Sequence, residues 1–175
     1  MAIHRLNHAV LYVRDIERSV GFYENVLGFI PVHLFSTGAF MRAPGSTNDH
    51  DLGLFAIGSA AGASSAGQDS VGLYHLAWEV DTLGELAHVR DVLAGRGSLV
   101  GASNHGTTKS LYALDPDGLE FEVVWLIPAQ LITDEDRGAA LTVSPLDLDA
   151  ELARFGPDEL SGIGVSRPDL AHNHA

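Results

Sequence analysis

The sequence contains no cysteine, few basic residues and no long apolar run. Without cysteine there can be no disulfide, no thiolate nucleophile and no zinc–sulfur site. The 10 Lys and Arg residues are outnumbered by 23 Asp and Glu residues, and the formal net charge is −13. No cationic cluster is visible, which excludes nucleic-acid binding and opposes adsorption to an anionic membrane surface.

No apolar segment approaches the roughly 20 residues that a membrane-spanning helix needs. The N-terminal residues also lack the apolar core of a signal peptide, so a cytoplasmic protein is the expectation. The chain has 175 residues, of which 46% are hydrophobic and 19% charged, enough for one globular domain with its own core. Its 19 glycines indicate many tight turns between short strands.

A unit of strand followed by helix begins at His8. The apolar stretch 8–13 has strand character, and Asp15 after it is a typical helix N-cap. The helical pattern runs over 16–27 and is predicted to stop at Gly28, because glycine readily adopts the left-handed conformation that ends helices.

The same unit begins again at His75. A strand is predicted over 75–80, Thr82 is the N-cap, and the helix runs to Ala94 and stops at Gly95. In both copies 20 residues separate the opening histidine from the terminating glycine. The chain is therefore predicted to contain an internal repeat.

Three strand-like segments follow each helix, so each copy is a βαβββ unit and the fold class is α+β. The segments lie at roughly 29–35, 38–43 and 51–57 in the first copy and roughly 98–102, 107–114 and 119–125 in the second. A lone sheet would leave one face exposed. We therefore expect the two sheets to pair and enclose a cleft.

The domain is predicted to span residues 1–126, with repeats at about 4–57 and 71–126. Between them, residues 58–70 are rich in Gly, Ala and Ser and are typical of a flexible linker, which would also permit exchange of units between subunits. Residues 127–175 form an acidic, proline-containing C-terminal tail, with one short helix predicted near 147–154.

Three candidate metal ligands occupy related places in the two copies. His8 and His75 each open the first strand of a repeat, and Glu122 lies in the last strand of the second. Two imidazoles and one carboxylate form the facial triad of non-haem Fe(II) oxygenases, which leaves positions open for substrate and oxygen. Glu120 is a rival to Glu122, because residues two apart lie on the same face of a strand.

The stretch 105–122 resembles the ring-cleavage signature of the type I extradiol dioxygenases, members of the vicinal-oxygen-chelate superfamily. The matching residues are His105, Tyr112 after an apolar residue, the pair Asp115 and Pro116, Gly118, and Glu122. The resemblance assigns the carboxylate ligand to Glu122, because Glu120 does not have the required spacing. Ser103, two residues before His105, departs from the pattern. With the repeats, the resemblance covers about residues 4–126.

The resemblance implies that the two βαβββ repeats form a half-open barrel around a metal site. It further implies an extradiol dioxygenase that binds Fe(II), or alternatively Mn(II), and cleaves a catechol-type ring with dioxygen. His50 would act as acid–base and oxygen-pocket residue, and His105 and Tyr112 would donate to the substrate oxygens. The partners would be a small aromatic diol and dioxygen, and a homo-oligomer, dimeric or higher, is expected because sheet edges of this kind commonly pair. Aromatic residues that could line the pocket are Phe22, Phe29, Phe40, Phe55 and Trp78.

Other chemistries of the superfamily stay open as alternatives. Glyoxalase I uses a fourth protein ligand late in the first repeat, whereas residues 51–58 offer no acidic residue at their centre. Bleomycin-binding members generally lack the triad, and fosfomycin-modifying members need basic loops that are not visible here. The alternatives are a glyoxalase-like isomerase or lyase using Ni, Co or Zn, and a non-enzymatic small-molecule binding protein of the same fold.

Overall fold

The computed structural model describes residues 2–3, 5–66, 69–140 and 142–162. The chain divides into two compact units. The first contains Met1–Ser65 together with Asp115–Leu119, and the second contains Ala66–Leu114 together with Glu120–Ala175. In the part of the chain that is described, no helix is both long and apolar enough to cross a membrane.

The first unit is a four-stranded sheet with one helix. Its elements are β1 (Ala9–Val13), α1 (Ile16–Leu27), β2 (Ile30–Phe35), β3 (Gly38–Arg42) and β4 (Leu52–Ala56). The strand order is β1-β4-β3-β2, with β1 and β4 parallel and the other pairs antiparallel. This is the βαβββ order that the sequence predicted, with strand bounds that agree to within about one residue.

Helix α1 begins and ends at the predicted residues. The Asp15 side chain accepts a hydrogen bond from the Arg18 amide at 2.9 Å, and Gly28 ends the helix with a φ of 71°. The buried face of α1 and the alternate residues of the sheet form the core of this unit. Its members include Val13, Phe22, Tyr23, Val26, Met41, Leu52 and Leu54.

The second unit repeats the same order and adds a strand. Its elements are β5 (Leu76–Glu79), α2 (Leu83–Gly95), β6 (Leu99–Asn104), β7 (Thr108–Leu114) and β8 (Glu120–Leu126). The strand order is β5-β8-β7-β6-β9, where β9 (Ser144–Pro145) pairs antiparallel with β6. The two sheets, of four and five strands, confirm the α+β class and the two βαβββ repeats.

Helix α2 begins after Thr82 as predicted, but it continues one residue further than expected. Gly95 is its last helical residue, and the left-handed residue is Gly97, with a φ of 68°. The Ser98 amide donates to the Leu93 carbonyl at 2.9 Å across this turn. The terminating signal was therefore the second glycine of Gly-Arg-Gly, because only that one adopts a positive φ.

The C-terminal segment packs on the second unit. It contains a 3₁₀ helix (Ala129–Leu131), α3 (Asp134–Ala139), β9 and α4 (Leu148–Phe155). Helix α4 confirms the helix predicted near 147–154, whereas α3 and β9 were not anticipated. Residues 163–175 of the tail lie outside the described residues.

Candidate active site

In the second unit, His75 and Glu122 face each other. His75 immediately precedes β5, which runs parallel to β8 and pairs Ala77 with Glu122. The His75 Nε2 atom lies 3.1 Å from Glu122 Oε2, and the two side chains are only 24% and 13% exposed. The parallel pairing of β5 and β8 thus brings two of the three predicted ligands into direct contact.

The rival carboxylate, Glu120, has a different neighbour. Its Oε1 atom lies 3.9 Å from His75 Nδ1, too far for a hydrogen bond. A hydrogen bond with Glu120, reinforced by the negative charge of that carboxylate, raises the pKa of the Tyr74 phenol. Glu120 is therefore engaged by Tyr74, while Glu122 has the shorter approach to His75.

Tyr112 lies directly opposite Glu122 in the β7–β8 pairing. Its hydroxyl is 3.5 Å from Glu122 Oε1 and 2.9 Å from His105 Nε2. Burial, and then the negative charge of Glu122, raise the pKa of the Tyr112 phenol. The phenol thus stays protonated at neutral pH and is able to donate. We call His75, Glu122, Tyr112 and His105 the polar cluster.

In the first unit, His8 and His50 lie side by side with ring centroids 4.6 Å apart. His8 Nδ1 is 2.8 Å from Asn7 Oδ1, and His50 Nδ1 is 3.0 Å from Asp49 Oδ2. Both partner atoms are oxygen acceptors, so Nδ1 is the donor in each contact, and an imidazole with its single proton on Nδ1 carries its lone pair on Nε2. That tautomer suits His8 as a metal ligand and His50 as a base.

The loop that carries His50 is organised by Asp51. The Asp51 carboxylate accepts hydrogen bonds from the Ala43 amide at 2.9 Å, the Ser46 hydroxyl at 2.7 Å and the Asn48 side chain at 2.7 Å. These bonds close the loop immediately before β4. They explain why a polar stretch of the sequence holds a histidine at a defined place.

The face of the first sheet opposite α1 is aromatic. Phe40 lies 4.6 Å from the His50 ring, 6.0 Å from Phe55 and 5.9 Å from Phe35, measured between centroids. Gly53 lies between Val10 and Phe40, and a Cβ there would approach these side chains to 3.4–3.5 Å. We call Phe35, Phe40 and Phe55 the aromatic face.

The aromatic residues singled out in the sequence divide between this face and the interior. Phe40 and Phe55 lie on the aromatic face, whereas Phe22 and Phe29 are core residues, 6% and 3% exposed. Trp78 is half-buried in β5. Phe35 was missed because the β2–β3 register shifts between Pro31 and His33, which a strict alternation of residues does not reveal.

In the acidic–proline pair of the signature, Asp115 and Pro116, the aspartate has a structural role. Asp115, which clusters with the first unit, accepts hydrogen bonds from the amides of Asp117 and Leu119 at 2.8 and 2.9 Å and lies 3.2 Å from the Tyr23 hydroxyl. Burial raises the pKa of Asp115. Gly118 has a φ of 82°, so the turn between β7 and β8 needs a glycine there.

The donor chemistry of His75 and Glu122 fits a divalent metal, since one imidazole and one carboxylate already face each other. His75 Nδ1 is buried without a hydrogen-bond partner. Among the described residues, no group of three His, Cys, Asp or Glu side chains is arranged to hold an ion. His8 lies in the first unit, where it contacts His50. The set of three metal ligands, His8, His75 and Glu122, stays a prediction.

Comparison with known sequences gives a family match and a curated relative. The model of the Glyoxalase/Bleomycin resistance protein/Dioxygenase superfamily matches residues 5–123. A catechol-2,3-dioxygenase of Bacillus subtilis (strain 168) is 27% identical over 160 residues, which are 90% of this chain and 54% of that protein. The chain thus spans about half the length of this relative.

Solved structures show the same fold. A glyoxylase/bleomycin resistance protein/dioxygenase domain from Frankia sp. EAN1pec has a TM-score of 0.58 and 21% identity, covering 72% of this chain and 94% of its own. A mutant of the fosfomycin resistance protein FosX from Listeria monocytogenes, complexed with Mn(II) and a dihydroxypropylphosphonic acid, has a TM-score of 0.53 and 18% identity. That match covers 70% of this chain and 90% of the other. At these identities the likeness extends to the fold alone.

Proposed function

Because the chain belongs to the Glyoxalase/Bleomycin resistance protein/Dioxygenase superfamily, we propose that it is an Fe(II)-dependent extradiol dioxygenase acting on a catechol-type aromatic diol. The observation that carries this proposal is the polar cluster, in which His75, Glu122, Tyr112 and His105 form one contiguous set of contacts. A relative that carries the name catechol-2,3-dioxygenase supports it.

The proposed ligands are His8, His75 and Glu122. Two neutral imidazoles and one carboxylate leave a divalent ion with one net positive charge and open positions. When bound, Fe(II), or alternatively Mn(II), would supply Lewis-acid chemistry that favours ionisation of the diol and brings it together with dioxygen. The Asn7 side chain supports this assignment, because it keeps the proton of His8 on Nδ1.

The remaining polar residues of the proposal bind and orient the diol. Tyr112 donates through its hydroxyl, and the 2.9 Å contact with His105 Nε2 fixes the direction of that hydroxyl. His50, whose Nδ1 is held by Asp49, offers the Nε2 lone pair for accepting and returning a proton. Each group therefore has a partner that sets its tautomer or its orientation.

The aromatic face supports a ring-containing substrate. Phe35, Phe40 and Phe55 offer apolar edges and faces beside His50, and they present no group that would hydrogen-bond to a ring. A flat aromatic ring gains offset-stacked or edge-to-face contacts there, each worth about 0.5–1.5 kcal/mol. A small aliphatic ketoaldehyde would leave most of this surface in water.

The structure also weighs against the isomerase alternative with Ni, Co or Zn. That chemistry needs a fourth ligand from the last strand of the first repeat. Strand β4 has the sequence Leu-Gly-Leu-Phe-Ala and presents Gly53 and Phe55 on the side opposite the core. No carboxylate is available from β4 to complete such a site.

The proposal is tested by anaerobic reconstitution with Fe(II), followed by addition of catechol or 2,3-dihydroxybiphenyl in air. We expect the yellow absorbance of a ring-opened product together with stoichiometric oxygen uptake. Both signals should vanish in His8→Ala and Glu122→Ala and fall sharply in His50→Ala. The matched control is Glu120→Gln, which removes the neighbouring carboxylate charge and should retain most of the activity.

Two outcomes would contradict the proposal. Tight iron binding without oxygen uptake on any catechol would favour the isomerase or the binding protein. Failure to bind divalent metal, in a protein that is folded by circular dichroism, would remove the metal site itself.

A further inference from the structure

The single lysine of the sequence is buried. Lys109, in β7, is 1% exposed, and its ammonium group has three acceptors. These are Asn104 Oδ1 at 2.9 Å, the Gly106 carbonyl at 3.1 Å and Glu151 Oε1 of α4 at 2.9 Å. Lys109 thus has as many acceptor atoms within reach as its ammonium group has N–H bonds.

Two of these acceptors flank His105 in the turn between β6 and β7. Asn104 Oδ1 also accepts a hydrogen bond from the Gly106 amide at 2.9 Å, and the His105 amide donates to the Thr108 carbonyl at 3.0 Å. Lys109 therefore holds both neighbours of His105 at once. The imidazole of His105 then meets the Tyr112 hydroxyl at 2.9 Å on the other side of the strand.

The C-terminal segment closes on the same turn. A Cβ at Gly106 would lie 2.3 Å from the Asp136 carbonyl and 2.4 Å from the Ala140 amide nitrogen, so α3 packs against the bare backbone of the turn. Arg154 of α4 contacts both carboxylate oxygens of Asp136 at 2.7 Å. Helix α3 is thereby joined to the helix that supplies Glu151.

We propose that Lys109 and Glu151 are positioning residues, which fix the turn so that His105 holds the Tyr112 hydroxyl in the polar cluster. The inference rests on the proposed function, since it assigns the C-terminal segment a part in that site. A buried ion pair is rarely worth more to stability than apolar side chains of the same volume. An apolar pair would fill the space, but it would not bind Asn104 and the Gly106 carbonyl.

This difference makes it possible to distinguish a positioning role of the Lys109–Glu151 pair from a contribution to stability. Lys109→Met removes the cation that lies 2.9 Å from Glu151 Oε1 and leaves Arg154 Nη1 at 3.9 Å from Oε2 of the same carboxylate, so the melting temperature should fall. The double variant Lys109→Met, Glu151→Met removes both charges, and its melting temperature should return close to that of the unmodified protein. The turn nevertheless lacks the ammonium group that binds Asn104 Oδ1 and the Gly106 carbonyl together. We therefore expect kcat to stay about 10–100-fold low with KM changed by less than about threefold.

The matched control is Asp149→Asn. Asp149 also lies on α4 and pairs with a cation, Arg90, at 3.0 Å, but this pair is solvent-exposed and does not touch the turn. We expect neither the melting temperature nor kcat to change in this variant. A loss of kcat in the control equal to that in the double variant would overturn the proposal.

A second readout does not depend on turnover. The ring signals of His105 are assigned in the full-length, metal-free protein by their loss in His105→Gln. We expect them to shift and broaden in the double variant and to be unchanged in Asp149→Asn. If the unmodified protein cleaves no catechol, this measurement alone decides on the positioning role. Recovered melting temperature with unchanged His105 signals, or with recovered kcat, would overturn the inference.

Discussion

The two repeats have the same order of strands and helix, but they differ on the sheet face that points away from the helix. That face is aromatic in the first unit and polar in the second. In the first unit that face holds Phe40 and Phe55 beside His50. In the second unit it holds Glu122, with Tyr112 opposite it on the neighbouring strand. The repeated plan therefore sets which positions face away from the helix, while the residue at each position sets what that face does.

The two faces also differ in how they are supported. The first obtains its order from apolar packing and from a loop closed by Asp51. The second obtains it from hydrogen bonds, and α3 and α4 brace the turn that carries His105. Polar clusters require such bracing, because each group must find its partner in a fixed direction.

The largest expected effect is on Fe(II) affinity, and it distinguishes the two carboxylates of the second unit. We expect Glu122→Gln to weaken Fe(II) binding at least about 100-fold, since it removes a proposed ligand rather than an outer partner of one. Glu120→Gln should change it less than about threefold, because Glu120 is engaged by Tyr74. Metal titration by calorimetry measures both. Equal losses in the two variants would mean that the carboxylates share the role.

The next largest expected effect is on the free energy of unfolding, and it distinguishes one glycine of each unit. Gly106→Ala should cost about 3 kcal/mol of unfolding free energy, because the residue has a φ of 74° and the new Cβ meets the backbone of α3. Gly53→Ala should cost less than about 1.5 kcal/mol, since its Cβ would approach only side chains at 3.4–3.5 Å. Urea unfolding at equilibrium measures both. The reverse order would contradict the tighter bracing of the second unit.

Much of this fold was predictable because local signals agreed with it. The Asp15 and Thr82 caps and the strand segments were found from the sequence, since a cap or a two-residue alternation is written in neighbouring residues. The C-terminal segment was not. Strand β9 has two residues and forms only because β6 offers it an edge, a condition that no local pattern records.

The candidate site likewise contains residues that the sequence predicted and a residue that it did not. His75 was predicted from the register of the repeats and Glu122 from the resemblance to the ring-cleavage signature, and β5 and β8 bring the two side chains together. Lys109 was missed, because a lone lysine in a strand ordinarily points to solvent. Its burial depends on Glu151, 42 residues further along the chain, and a pairing of that range leaves no local trace.

Lowering the pH should weaken the contact between Arg154 and Asp136 that joins α4 to α3 in the second unit. Above all, the hydrogen bonds from Arg154 hold the pKa of Asp136 well below its ordinary value. A carboxylate whose folded pKa is depressed stabilises the fold above its unfolded pKa, about 4, and loses that contribution as pH falls further. Asp136→Asn should therefore cost about 2 kcal/mol at pH 7 and progressively less below about pH 4.

Unfolding free energies from urea titration at a series of pH values measure this effect. The control is Asp149→Asn, whose pair with Arg90 is exposed and should contribute little at any pH. A cost for Asp136→Asn that stays constant down to the lowest pH would show that its ionised form is not what joins α3 to α4.

The smallest effect belongs to the aromatic face of the first unit. Phe40→Leu keeps an apolar side chain but removes the ring beside His50, so under the proposed function a bicyclic diol would lose one aromatic contact of about 1 kcal/mol. We expect KM for 2,3-dihydroxybiphenyl to rise about fivefold, with Fe(II) affinity unchanged. The matched control is Phe22→Leu, which alters a core phenylalanine on the helix side of the sheet. It should lower stability by about 1 kcal/mol and leave KM unchanged. A rise in KM in both variants would mean that the first unit responds as a whole and that its aromatic face has no separate part in binding.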